Sequence, residues 1–275
     1  MSFSWNIISD LQQMWYYPFM QHAFEAGTLI AIIAGVVGYF VVLRRSAFAA
    51  HALSHVGFAG AAGAVLFGVD PIFGLLLFTA GGGVTMTLLG PRASHRDTNI
   101  GIVLAFMLGL GVLFISLYTG YATQAYSILF GQILGISSFD VLLTLVASAA
   151  ILVTVSALYR PLLFSSLDEG VAEARGLPIL LLGVVFVLQL AVAISFAVKV
   201  VGVLLIFSLM VTPAATAQTL AKTPRQAIII SVAISLFATW LGLFIAFYEP
   251  YPVSFFITSI VFILYLLARL ARALT

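Results

Sequence analysis

Long apolar runs separated by short polar breaks fill this chain, and none of them alternates. The runs cover about 19–43, 47–67, 72–90, 99–118, 140–159, 178–212, 226–247 and 254–271. A helix needs roughly 20 apolar residues to cross a ~30 Å hydrocarbon core, and most of these runs have that length. A transmembrane barrel would show ~10-residue alternating segments instead. The pattern therefore predicts an all-α polytopic membrane protein.

Two runs need separate treatment. Residues 178–212 are apolar for 35 positions, broken mainly by Lys199. One helix that long would measure ~52 Å, so two spans with a turn between Ser195 and Gly202 are expected. The stretch Y-S-I-L-F-G-Q-I-L-G-I-S at 126–137 is too short to cross. It reads as a half-helix or re-entrant segment, which protein must shield. The count is nine spans, or eight if 178–212 is a single helix. Residues 1–18, with Trp5, Trp15, Tyr16 and Tyr17, form an interfacial segment, and 19–275 make a single transmembrane domain.

Composition strengthens this picture. The chain has 275 residues, 63% hydrophobic and 7% charged, with mean hydropathy +1.21. The net charge of +2 belongs to loops that anchor the protein in the lipid bilayer, and a nucleic-acid partner is not expected. There are no cysteines, so thiolate ligands and disulfides are excluded. No removable leader is expected, because the start lacks a basic region and a cleavage site.

Counting basic residues sets the orientation. With the first span running from outside to inside, the cytoplasmic loops collect Arg44, Arg45, Arg92, Arg96, Arg160, Arg175, Lys222, Arg225, Arg269 and Arg272. That is ten of eleven basic residues, with Lys199 left over. Asp10, Glu25, Asp70, Asp140 and Glu249 then lie outside. The N-terminus is expected outside and the C-terminus in the cytoplasm.

Chemistry concentrates in R-R-S-A-F-A-A-H-A-L-S-H-V-G-F-A-G-A-A-G-A. A spacing of four puts His51 and His55 on one helix face, Cβ atoms ~5–6 Å apart. His55 lies ten residues past Arg45, so ~15 Å inward, near the midplane if the arginines mark the surface. Ionisable groups at such depth point to a pathway or binding site. Two neutral imidazoles chelate a first-row dication, and without thiolates the pair favours zinc over manganese or magnesium. The pair is incomplete by itself, which suits a site that must release its ion. The other reading is two histidines bonded to neighbouring helices.

His22 and Glu25 stand three apart at the start of the first span. They are either an outer vestibule for a cation or a polar pair at the membrane interface. Lys199 and Gly202 mark a helix break near the pathway. Hydrolysis is not expected, because H-A-L-S-H has alanine where a zinc protease motif has glutamate. No phosphate-binding loop and no spanning carboxylates are present to power transport. The work must come from a partner. Pro213 at a helix start, Ala214, Ala215 and Thr216, and the knob of Lys222, Thr223 and Arg225, form the candidate contact at 212–226.

Three segments together resemble one family. They are the histidine segment above, Y-S-I-L-F-G-Q-I-L-G-I, and K-V-V-G-V-L-L-I-F-S-L-M-V-T-P-A-A-T-A. They are similar to the ABC-3 membrane permeases of ABC-type zinc and manganese importers, over about residues 19–270. The resemblance implies an inner-membrane homodimer, a separate ATP-binding subunit, and an extracellular or periplasmic metal-binding protein. It implies no permanently bound cofactor, a transported divalent metal, and a coupling helix at 212–226. Family members usually carry aspartate four residues before the matching histidine. Here His51 takes that place, which tilts the expected ion toward zinc. A stand-alone secondary carrier or channel for divalent metals is the alternative.

Overall fold

The computed structural model describes residues 12–89, 96–118, 131, 133–249 and 251–274. Its helices are α1 (Pro18–Leu43), α2 (Ala47–Leu66), α3 (Pro71–Leu89), α4 (Arg96–Leu117), α5 (Ser138–Ala157), α6 (Tyr159–Leu167), α7 (Glu169–Ala174), α8 (Ile179–Val201), α9 (Val203–Leu220), α10 (Pro224–Tyr248) and α11 (Val253–Ala273). Among the described residues nine of these, all but α6 and α7, are long and apolar enough to cross a membrane. The expected all-α polytopic fold with nine spans is what is found. The interfacial segment 1–18 is described only from residue 12, where Trp15 and Tyr16 are exposed.

The ends of these helices are written in the local sequence. Pro18 opens α1 and Pro224 opens α10, where a missing N–H costs nothing. Ser137 and Asp140 form a reciprocal capping box at the start of α5. The Asp168 carboxylate accepts from the Val171 N–H to start α7. At the end of α1 the Ser46 N–H returns to the Val41 carbonyl and the Arg45 N–H to the Val42 carbonyl. That closure puts Arg45 at φ +53°, a left-handed position that favours glycine. Gly68 takes the same place, with φ +70°, after α2.

α1 is the central post, in contact with α5, α8, α9 and α10. Gly35 lets α10 come so close that an added Cβ would stand 2.7 Å from Val232 Cα. The Ser231 hydroxyl of α10 donates to the Gly35 carbonyl at 2.9 Å. Gly38 lies against the Met210 carbonyl of α9. Gly60 of α2 and Gly74 of α3 are similarly backbone to backbone. Close approach of this kind is how membrane helices gain packing when burial from lipid offers no hydrophobic gain. α3 and α8 share a buried hydroxyl pair, Thr79 and Ser195, 2.9 Å apart. α4 and α11 are peripheral, with Ile102, Phe106, Phe262 and Ile263 turned outward.

Two expectations change. The run 178–212 does split, at Gly202 (φ +87°), but the second helix continues past 212 to Leu220. Residues 212–220 are therefore spanning helix rather than connector, and Pro213 lies inside α9 instead of starting a helix. Proline removes the N–H that would meet the Leu209 carbonyl one turn earlier. The Ser235 hydroxyl of α10 stands 3.5 Å from that carbonyl and answers it from outside. Bonding from a neighbouring helix lets a span keep a proline in lipid. The fourth span also begins earlier than 99, at Arg96. Of the half-helix at 126–137, Ile133–Gly135 forms one 3₁₀ turn. Most of the rest lies outside the described residues.

Candidate transit site

The pairings of the helices separate the charged groups into two ends. α10 runs against α1, with Val232 beside Gly35 and Thr239 beside Gly27. The Lys222–Arg225 turn therefore lies at the Arg44 end of α1. α11 reverses again, with Ile257 against Gly242, which returns Arg269 and Arg272 to that end. Tyr159 packs on Phe40 at 6.2 Å, and the Arg44 guanidinium lies 4.9 Å over the Phe186 ring. α6 and α7 join the same end. At the other end the Lys199 ammonium lies 2.8 Å from an Asp140 oxygen and 3.7 Å from Asp70.

His51 and His55 share one face of α2, both half-buried. Their ring centroids are 4.7 Å apart, nearly edge to face at 80°. Facing rings at this separation can turn their nitrogens toward one small cation. A third ring completes the group. Phe207 of α9 sits 4.9 Å from His51, tilted by 67°. The neighbouring Ser54 hydroxyl is spent on the Ala50 carbonyl at 3.1 Å. Among the described residues no set of three His, Cys, Asp or Glu is placed to share a metal.

His22 and Glu25 do not join this group. The His22 ring donates from Nδ1 to the Ile136 carbonyl at 3.1 Å. Glu25 is exposed on the rim of a 560 Å³ apolar cavity with Trp15, Phe24, Thr28 and Trp240. Gly38, 13 residues further along α1, marks the depth of Met210, and Phe207 lies three residues nearer the Glu25 end, so Glu25 is still ~15 Å from the depth of Phe207.

The remaining candidates divide. Lys199 has its charge engaged by two aspartates, and Gly202 forms the α8–α9 break, where the Gly131 backbone packs against it. Pro213, Ala214 and Thr216 are buried inside α9 and Ala215 is half-buried, so none of them forms an outward surface. Lys222, Thr223 and Arg225 are exposed at the α9–α10 turn. There the Lys222 N–H donates to Gln226 Oε1 at 3.2 Å.

Sequence reasoning missed three features. The Lys199–Asp70–Asp140 cluster was within reach, since one unplaced cation and two acids had been assigned to the same side. The α6–α7 pair exposes Leu167, Glu169, Val171, Glu173 and Arg175 at the Arg44 end. Its polar composition reads as a surface helix and turn, without a hint of its role. Phe207 gave no signal, because nothing local ties it to a histidine 156 positions earlier.

Comparison with known proteins adds the following. Residues 16–272 match the sequence profile of the ABC 3 transport family. The chain is 30% identical over 238 residues to the manganese import system permease protein ScaB of Streptococcus gordonii, covering 86% of this chain and 85% of that one. It is 30% identical over 249 residues to the high-affinity zinc uptake system membrane protein ZnuB of Buchnera aphidicola, covering 90% and 95%. The solved structure of PsaBC from Streptococcus pneumoniae in complex with Fab superposes with a TM-score of 0.86 at 29% identity. That match covers 95% of both chains.

Proposed function

Because the chain belongs to the ABC 3 transport family, we propose that it is the multi-pass inner-membrane permease of an ATP-driven importer of divalent metal, with zinc as the ion. The observation that carries the reading is the pair of imidazoles packed edge to face, 4.7 Å apart, inside a span. The names of the relatives divide between manganese and zinc. Two imidazole nitrogen ligands in a chain without cysteine, with no carboxylate grouped with them among the described residues, favour zinc.

The charged ends support an orientation with the arginine-rich end in the cytoplasm and the Lys199 cluster outside. In this arrangement residues 1–18 lie at the outer interface, and 19–275 form one permease domain. Two copies assemble as a homodimer around the passage, and a metal-binding protein delivers the ion from outside. A separate ATP-binding subunit seats on the cytoplasmic end. The exposed α6–α7 pair and the Lys222–Arg225 turn form its seat, in place of the buried stretch 213–216.

Transport follows from alternating exposure of the histidine pair. The ion arrives from outside, exchanges some of its water for ring nitrogens, and leaves inward when the partner's ATP cycle changes the favoured state. A site with few protein ligands lets go readily. A stand-alone carrier finds no support, since family membership pairs such chains with an ATPase.

The test is zinc uptake by cells carrying the complete transporter. His51→Ala and His55→Ala are each expected to abolish uptake, while the permease still co-purifies with its ATPase. Parental uptake by the double variant would refute the histidine site. Competition among zinc, manganese and iron in the parent assigns the ion, with zinc expected to win.

A further inference from the structure

A histidine that binds metal is usually oriented through its other ring nitrogen, which bonds to a carboxylate or carbonyl. Among the described residues neither His51 nor His55 has such a bond. The torsion that turns an imidazole is broad by itself. Something else must aim the rings.

Phe207 is placed to do it. It sits 4.9 Å from His51, about as close as His55 at 4.7 Å. Both contacts are edge to face, so His51 packs against two rings, one from its own helix and one from α9. Its partner is itself fixed. Gly38 locks the Met210 carbonyl against α1, and Phe207 stands three residues earlier, almost one turn away on the same helix. Gly202 caps the start of α9, only five residues before Phe207. A phenyl ring has no lone pair to offer the ion, so it orients His51 without competing for a ligand position.

The geometry points to Phe207 as the positioning residue for His51, acting through its ring rather than its bulk. This deepens the transit-site reading and rests on it. A ring that already faces the site loses less freedom when the ion binds, so the effect falls on affinity.

The experiment uses the whole transporter, permease with ATPase, in vesicles, with zinc as the probe. Phe207→Ala is expected to raise the KM for zinc about two- to tenfold, the range that matches the worth of an aromatic pair. The kcat should stay within about twofold of the parent, as for a loss of binding that precedes the slow step. Phe207→Tyr, which keeps the ring, should retain the parental KM. Phe207→Leu, which keeps most of the bulk, should behave like alanine. A parental KM in the alanine or leucine variant overturns the proposal, as does a fall in kcat equal to the rise in KM. The His51→Ala/His55→Ala double variant separates the two ideas. If it transports zinc normally, the transit site itself is refuted. If it is inactive while Phe207→Ala is parental, only the positioning role falls.

Discussion

Lys199 shows how one side chain can hold three distant segments. Its ammonium reaches Asp140 at the start of α5 and Asp70 in the turn before α3, from the last turn of α8. Both Lys199 and Asp140 are partly shielded, so the cluster should be worth more than a surface pair and less than a buried one. Lys199→Met is expected to cost about 1–2 kcal/mol and lower the thermal midpoint in detergent. Asp140→Asn should cost a similar amount, and the double variant should cost less than the sum. Strict additivity would show that the charges do not act together. The histidine pair was legible at this scale because i and i+4 is a property of one helix. Its aromatic neighbour was not, because only tertiary packing brings α9 to α2. By its spacing from Glu25, His22 reads either as a vestibule group or as half of a polar pair at the membrane interface. In the fold its ring nitrogen is engaged by a backbone carbonyl at Ile136.

Among the elements, α2 and α3 depend most on small residues. Gly60 and Gly74 meet through their backbones with no space for a Cβ. Gly60→Val is expected to cost at least about 2 kcal/mol by overpacking, seen as loss of folded protein on size exclusion. Gly81, on the same α3, has open space around it. Gly81→Val is expected to leave folded yield unchanged, and a loss equal to that of Gly60→Val would contradict the packing account. Apolar length made most spans readable, and the break at Gly202 followed because 35 residues exceed the bilayer. The lower part of α9 was unreadable for a physical reason. T-P-A-A-T-A-Q-T is polar enough to resemble a loop, and its proline carries a stop signal. A hydroxyl on α10, invisible to local rules, keeps it helical.

The whole molecule is a bundle whose two ends differ in charge. One end gathers Arg44, Lys222, Arg225, Arg269 and Arg272, and the other holds Asp70, Asp140 and Lys199. The segregation agrees with the count of basic loops and explains why one leftover lysine was no exception. On this view, α6 and α7 are the structured surface offered to a cytoplasmic partner. Glu169→Lys with Glu173→Lys is expected to reduce metal-stimulated ATP hydrolysis at least about tenfold, ~1.4 kcal/mol on the barrier, with folding of the permease intact. Unchanged hydrolysis and unchanged co-purification would move the contact elsewhere.

Proline at position 213 leaves α9 one rung short in its middle, at the Leu209 carbonyl. The turns above it carry the phenyl ring beside His51, and the turns below it end at the basic turn. The carbonyl left without its rung is met by a hydroxyl of another helix, Ser235 at 3.5 Å. If the histidine pair is the transit site, a push on the lower end of α9 meets this missing rung before it meets the phenyl ring, and the helix yields there at the least cost.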